Sequence, residues 1–182
     1  MKKVLIIALM AFAMTFSTDA LAQKFSGLDK SPMDMAAYPT DYKVSAKTAR
    51  VIYSRPQLKG RSLSELAPAG KVWRTGANEA AEVTFYSDVN FGGKEIKAGT
   101  YSIFTIPGQG EWTVVLNNNL NQWGAYSYDE GADVARVSVP SAEDSNSLEE
   151  FSIAFKEAGD SFEMVMGWDK TRISVPITAS KM

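Results

Sequence analysis

Two stretches near the C-terminus leave little choice of secondary structure. Phe151, Ile153 and Phe155 alternate with Ser152, Ala154 and Lys156, and Phe162, Met164, Met166 and Trp168 alternate with Glu163, Val165 and Gly167. A period of two gathers each apolar set on one face of a strand, whereas a helix would scatter it around its circumference. Ala158-Gly159-Asp160 between them supplies a turn, so a β-hairpin is expected here. Phe151, Ile153 and Phe155 are expected to face inward.

Much of the remaining chain reads in the same way. Lys47–Ser54 is predicted to be a strand with Ala49, Val51 and Tyr53 on one face, ended by Pro56, which lacks an N–H and biases Arg55 to extended backbone. Glu82–Tyr86 is a second. Phe91-Gly92-Gly93-Lys94 is a hairpin signal, because adjacent glycines accept the positive φ of a type I′ turn. Thr100–Ile106 is apolar on both faces and is expected to be central. Trp112–Leu116, Val134–Val139 and Ile173–Ile177 follow. Ser141–Ser147 and Asp169-Lys170 read as turns, and Pro176 suggests an edge position. No long segment carries helical periodicity; Ser62-Leu-Ser-Glu65 has capping-box spacing for one turn, which Pro68 stops. The expected fold is all-β: a single-domain antiparallel two-sheet β-sandwich of about nine strands, with no long helix in the mature chain. A closed barrel is the alternative.

The N-terminus reads as a leader. Lys2 and Lys3 precede an apolar run from Val4 to Phe16, and Ala20-Leu21-Ala22 is an Ala-x-Ala cleavage site. The run falls short of the roughly 20 apolar residues a membrane span needs. Residues 1–22 are therefore expected to be a signal peptide, and the protein to be exported, periplasmic or extracellular, with no membrane attachment after cleavage. Residues 23–40 are expected to be an extended or mobile segment packing Met33, Met35 and Tyr38 loosely, 41–178 the β domain, and 179–182 a tail. Losing Lys2, Lys3 and Asp19 leaves 17 basic and 20 acidic side chains, a net charge of −3. That balance gives no footing for nucleic acid.

The chain has no histidine and no cysteine. Ser-His-Asp and Cys-His nucleophilic systems are excluded, as is structural zinc held by Cys and His. No cofactor and no metal is expected, and the reading leans away from an enzyme. Any acid–base work would need a strongly shifted Asp, Glu, Lys or Tyr.

Function is sought in two long irregular stretches, Arg55–Gly70 and Asn117–Asp133, and in Lys71-Val-Trp-Arg-Thr-Gly-Ala-Asn-Glu79. Loops of such length inside a compact domain tend to be functional. Arg55, Arg61 and Arg74 form one candidate set, for an anion; the competing account is ion pairs to Glu65, Glu79 or Asp129. Trp73, Trp123, Tyr126 and Tyr128, with Asn78 and Asn121, form a second. Aromatic faces beside amides suit sugar rings, which stack through C–H faces and bond through hydroxyls; the competing account is a plug at the end of the core. Tyr53, ahead of Arg55, is added to the ligand-binding set. Glu79 and Asp129 are the carboxylate pair to consider for catalysis, since glycoside hydrolysis needs two carboxylates and no histidine. Both long loops are expected at one end of the fold, so that Arg74 and Trp123 approach one cleft. The resulting reading is a non-enzymatic binder of a small polar or carbohydrate-like ligand. The alternatives are a carboxylate-dependent hydrolase and a structural or interaction module.

Six blocks occur in order: Tyr53-Ser-Arg-Pro56, Lys59-Gly-Arg61, Lys71–Glu79, Ala98–Gly108, Asn121-Gln-Trp-Gly-Ala-Tyr126 and Trp168-Asp-Lys170. Together they resemble the DUF2911 family, exported bacterial proteins common in Bacteroidetes and without an assigned function. The resemblance runs from about Asp41 to Thr178. It implies a single secreted domain and supplies no activity, substrate or catalytic residue.

Overall fold

A computed structural model describes residues 25–179. The predicted signal peptide, residues 1–22, lies outside them, as does all but the first residue of the predicted tail. The strands are β1 (Met33–Tyr38), β2 (Ala49–Ser54), β3 (Ala81–Phe85), β4 (Val89–Phe91), β5 (Lys94–Ile96), β6 (Gly99–Pro107), β7 (Glu111–Asn117), β8 (Asp133–Ala158) and β9 (Ser161–Ala179). The helical elements are one turn, α1 (Leu63–Leu66), and a 3₁₀ turn at Glu130–Ala132. No helix among the described residues is long and apolar enough to cross a membrane. All strand pairs are antiparallel, and the nine strands form one sheet in the order β1-β2-β3-β6-β7-β8-β9-β4-β5. The all-β class, the antiparallel pairing and the want of a long helix in this part of the chain are as the alternation predicts.

Two hydrogen-bonded groups can be distinguished within that sheet, and β8 belongs to both. Its first part pairs with β7 as far as Pro140, and from Ser141 onward it pairs with β9. One core is built from both groups: Val51, Val83, Ile103 and Leu116 from one meet Phe91, Ile153, Met164 and Ile177 from the other. The Tyr53 hydroxyl ties them directly. It accepts from the Ile153 N–H at 3.0 Å and donates to the Ile153 carbonyl at 3.3 Å. Burial pushes that hydroxyl above its ordinary pKa.

Expectation and structure part company in three places. Ser141–Ser147 is not a turn, because β8 runs through it. Register shifts between Glu143 and Leu148 and between Leu148 and Ser152 absorb the polar stretch, and Arg172 of β9 holds the Asn146 carbonyl at 2.6 Å. A bulge breaks alternation without ending a strand, so periodicity reads it as a gap. Asp169-Lys170 likewise lies inside β9, with Asp169 at φ 48°. Second, β9 sits between β8 and β4, so Pro176 is not on an edge strand. It falls beyond the last β8 pair, Ser141 with Ile173. Third, the sheet begins at Met33: the extended segment pairs in register with β2 as β1, and Tyr38 stacks on Phe162 at 4.0 Å, while Met33 and Met35 pack loosely and stay more than half exposed.

The local turn chemistry is as read. Ser62 and Glu65 form the capping box of α1. Gly92 and Gly93 join β4 to β5 at φ 56° and 89°, and a Cβ at Gly92 would lie 2.4 Å from Val137 Cγ1. Both its backbone and its surroundings therefore require glycine.

Candidate functional site

The Lys71–Glu79 segment first serves the core and then leaves it. Trp73 exchanges both backbone hydrogen bonds with Thr105, at 2.8 and 2.9 Å. Its ring is buried, stacked on Trp168 at 5.3 Å and edge-on to Phe151 and Trp112. Trp73 is thus a core side chain. The chain then turns at Thr75, which is fully buried at φ 55°. A β-branched residue in the left-handed region is a true outlier, strained by about 1–3 kcal/mol. Its hydroxyl bonds to the Trp73 carbonyl and to Thr105 Oγ1, at 3.4 and 3.3 Å. At Gly76 a Cβ would stand 3.1 Å from the Ser54 carbonyl oxygen, so the segment passes close against the end of β2.

Asn78–Ala80 then zips to the second long loop. Ala80 N–H donates to Gln122 O at 2.8 Å, and Gly124 N–H donates to Asn78 O at 2.9 Å. This bracket makes Glu79 and Trp123 a bridge pair of the non-hydrogen-bonded kind, which places their side chains on one face at close spacing. Asn78 and Asn121 accept left-handed backbone, φ 60° and 56°, which suits Asn better than most residues. The zipper lies over the outer face of β6 and β7, where Ala80, Phe104 and Val115 are buried beneath Val72, Ala125 and Tyr128.

Polar side chains hold the rest of this loop. Buried Asn117 donates to Asp129 O at 2.9 Å and Asp133 Oδ1 at 2.7 Å, and accepts from Asn119 N–H at 2.9 Å. The Tyr128 hydroxyl donates to Asp133 Oδ2 at 2.6 Å while its ring meets Phe104 edge-on. Burial first, and then the bond to Asp133, push the Tyr128 hydroxyl well above its ordinary pKa. Asp129 caps the 3₁₀ turn through Gly131 N–H at 2.9 Å. The two aromatics between are left in water: Trp123 is 62% exposed and Tyr126 86%.

A cleft of about 230 Å³ opens between this zipper and the β1–β2 edge, lined by Met33, Ile52, Tyr53, Ser54, Glu79, Ala80, Glu82 and Asn121. Glu82 Oε1 accepts from Asn121 N–H at 2.8 Å, fixing one wall. Ser31 N–H and then the Asn78 side chain hold Asp29 below the usual carboxylate range. Among the described residues no group of three Asp or Glu side chains is placed to hold a metal ion.

Of the predicted site residues, Tyr53, Glu79 and Asn121 line the cleft, and Asn78 and Trp123 flank Glu79 through the backbone zipper. Asp129 is occupied as a cap and does not line the cleft. The three arginines serve separate duties. Arg55 pairs with Asp34 at 3.1 Å and donates to the Phe151 carbonyl and Ser152 Oγ. Arg61 donates to Leu58 O and Gln57 O. Arg74 has a buried Nε without a partner. None of them forms an ion pair with Glu65, Glu79 or Asp129 among the described residues. The two long loops do not share one end of the fold. Arg55–Gly70 finishes where Gly70 N–H meets Pro107 O, at the β6–β7 turn, with Leu63 and Ala67 beside Trp112. Asn117–Asp133 leaves the opposite end of β7 and folds back over the outer face. The sequence reading missed Met33, Ile52, Ser54, Ala80 and Glu82 as lining. The outward alternation of Glu82 in β3 was the available signal for that residue.

Fold and cleft together define an all-β protein of one antiparallel sheet, with an open cleft that mixes apolar side chains with Glu79, Glu82 and Asn121. The chain belongs to the DUF2911 family, proteins of unknown function, whose family model matches residues 31–177. No curated protein and no solved structure gives a significant match.

Proposed function

We propose that this protein is exported and binds a small, hydroxyl-rich ligand of carbohydrate type in the cleft beside Glu79, without turning it over. The observation that carries this is Trp123: a tryptophan fixed by backbone pairing next to a carboxylate, yet 62% exposed. An exposed aromatic paired with a carboxylate that lines the cleft suits the C–H face of a sugar, while Glu79, Glu82 and Asn121 suit its hydroxyls. Size supports one ring rather than a chain, since about 230 Å³ is below the roughly 300–1,000 Å³ of sites for drug-sized ligands. Hydrolysis by Glu79 and Asp129 has no comparable support, because Asp129 is spent on Gly131. Export rests on the Ala20-Leu21-Ala22 leader.

The test is a thermal-shift and tryptophan-fluorescence titration with glucose, galactose, mannose, N-acetylglucosamine and glucuronate. At least one should raise the melting temperature saturably, as a ligand selective for the folded state must, and Trp123→Ala should abolish the rise. A shift that survives Trp123→Ala, or no shift from any of the five, would count against the cleft as a sugar site. Intact mass of the exported protein should correspond to a chain starting at Gln23; a product retaining residues 1–22 would overturn the export reading.

A further inference from the structure

The segment that walls the cleft on one side also walls a second cavity. Arg55 N–H donates to Pro32 O at 3.0 Å, so the chain around Pro32 crosses the end of β2. Met33 and Ser54 face the cleft. Lys30, Ser31, Pro56 and Gln57 line a separate cavity of about 420 Å³ together with Lys59 and Arg61. Three of these residues are cations and none is an acid, in a chain whose net charge is −2. A local concentration of charge against the overall sign is an electrostatic site for the opposite ion.

Among the described residues no nearby acid closes on Lys30, Lys59 or Arg61 as an ion pair, although Asp29 lies in the field of Lys30 and Glu65 in that of Arg61. Glu149 Oε1 is taken by the Lys59 backbone N–H at 2.7 Å, and Glu65 Oε2 is held by the Ser62 N–H and hydroxyl, both at 2.7 Å. Asp29 is bound by Ser31 N–H and the Asn78 side chain.

One of the three cations is held in place. Arg61 Nε donates to Leu58 O at 2.9 Å and Nη2 to Gln57 O at 2.8 Å. Those two bonds pin the guanidinium to its own loop and leave the outer fork, Nη1 with the second Nη2 hydrogen, for another acceptor. Lys59 is bent into the left-handed region at φ 50°, followed by Gly60 at φ 76°, and its amide is fixed by Glu149. A fixed fork with two flexible ammonium groups matches a tetrahedral oxyanion. The cavity is larger than a bare oxyanion needs, which leaves room for the body that carries it.

We propose that Lys30, Lys59 and Arg61 form a second ligand site, distinct from the sugar cleft, that takes a phosphate or sulfate ester. The two esters offer the same oxygens, and the experiment separates them. The purified full chain is titrated calorimetrically, at constant ionic strength, with sodium chloride as the control and with inorganic phosphate, sodium sulfate, glycerol 3-phosphate and a sulfated disaccharide. The same series is run on Trp123→Ala, and on Lys59→Asn combined with Lys30→Gln. Asn tolerates the left-handed backbone at position 59, so the double variant removes charge without refolding the loop. Saturable binding of one ester at millimolar concentration or below is expected. The double variant should weaken it by about tenfold or more, as loss of hydrogen bonds to a charged group does, and Trp123→Ala should leave it unchanged. A stronger response to glycerol 3-phosphate identifies a phosphorylated ligand, and a stronger response to the disaccharide a sulfated one. Equal binding by the double variant, loss of binding in Trp123→Ala, or a response no greater than that to sodium chloride would overturn the proposal.

Discussion

Trp73 and Trp123 sit in comparable backbone settings and meet opposite fates. Each belongs to a single antiparallel bridge, Trp73 with Thr105 and Trp123 with Glu79, and each approaches the same sheet. Trp73 enters the inner face, where Trp168, Phe151 and Trp112 surround it. Trp123 rides on the outer face, where the buried support is Ala80, Phe104 and Val115. The side of the sheet, not the residue or its backbone pairing, decides whether the indole stabilises the fold or stands open to solvent. The inner face carries stability, and the outer face carries a thin layer that shapes a cleft.

The largest effect should come from the inner side. Trp73→Ala should destabilise by about 3–5 kcal/mol and Ile153→Ala by about 2–5 kcal/mol, as large-to-small core changes do, measured by urea unfolding with an unchanged m-value. A loss below about 0.5 kcal/mol at either position, the range of exposed sites, would erase the contrast. On the outer side the best-anchored residue is Asn117. Asn117→Ala strands Asp133 Oδ1, Asp129 O and Asn119 N–H, so about 1–3 kcal/mol should be lost. Amide hydrogen exchange should then rise in 118–132 while β8 and β9 stay protected. Exchange rising equally in both regions would mean that the two faces do not behave as separate layers.

Tyr128→Phe should cost less, about 0.5–1.5 kcal/mol, because Asp133 keeps Arg136 as a partner. It also has a pH signature. A tyrosine raised in the folded state adds stability that is fully present below its unfolded pKa of about 10 and is lost as pH rises toward the folded value. Tyr128 and Tyr53 are both raised, so stability should fall above about pH 10, and the fall should be shallower in Tyr128→Phe. An identical alkaline limb in the variant would remove Tyr128 from the account.

The contrast between the faces was only half legible in the sequence. Strict alternation gave Phe151–Phe155 and Phe162–Trp168, the paired glycines gave the β4–β5 turn, and Ser62 with Glu65 gave the helical cap. These signals are local, and local chemistry is what a sequence prints. The continuity of β8 and β9 was hidden because bulged residues break the period that identifies a strand. β1 was hidden because Met33-Asp-Met-Ala-Ala-Tyr38 lacks the β-branched residues that advertise one. The direction of Trp73 was hidden for a different reason. An irregular segment has no period from which to assign a face, so two tryptophans flanked by glycines and amides look alike until the sheet between them is drawn. The arginine set failed likewise, since sequence adjacency to a loop says nothing of which carbonyl or carboxylate lies within 3 Å, as Phe151 O and Asp34 do for Arg55 only through tertiary contact.

The smallest stability effect should carry the most functional information. At Trp123 the ring is mostly in water, so its removal forfeits little burial; its backbone pairing, Gly124 N–H to Asn78 O and Ala80 N–H to Gln122 O, does not depend on the side chain. Trp123→Ala should therefore change unfolding free energy by less than about 0.5 kcal/mol. If the ring is the stacking face of a sugar site, the same change should abolish any sugar-induced thermal shift. If instead the ring only shields Phe104 and Val115 from water, Trp123→Ala should destabilise by more than about 1 kcal/mol, as loss of apolar cover does, and leave ligand response intact. Trp123→Phe separates the two further. A smaller aromatic retains part of a stacking face and should retain a weakened shift, whereas Trp123→Leu, similarly apolar but without a π face, should not. A Leu variant that responds as well as the Phe variant would show that the outer aromatic is not a recognition surface, and the contrast with Trp73 would reduce to depth of burial alone.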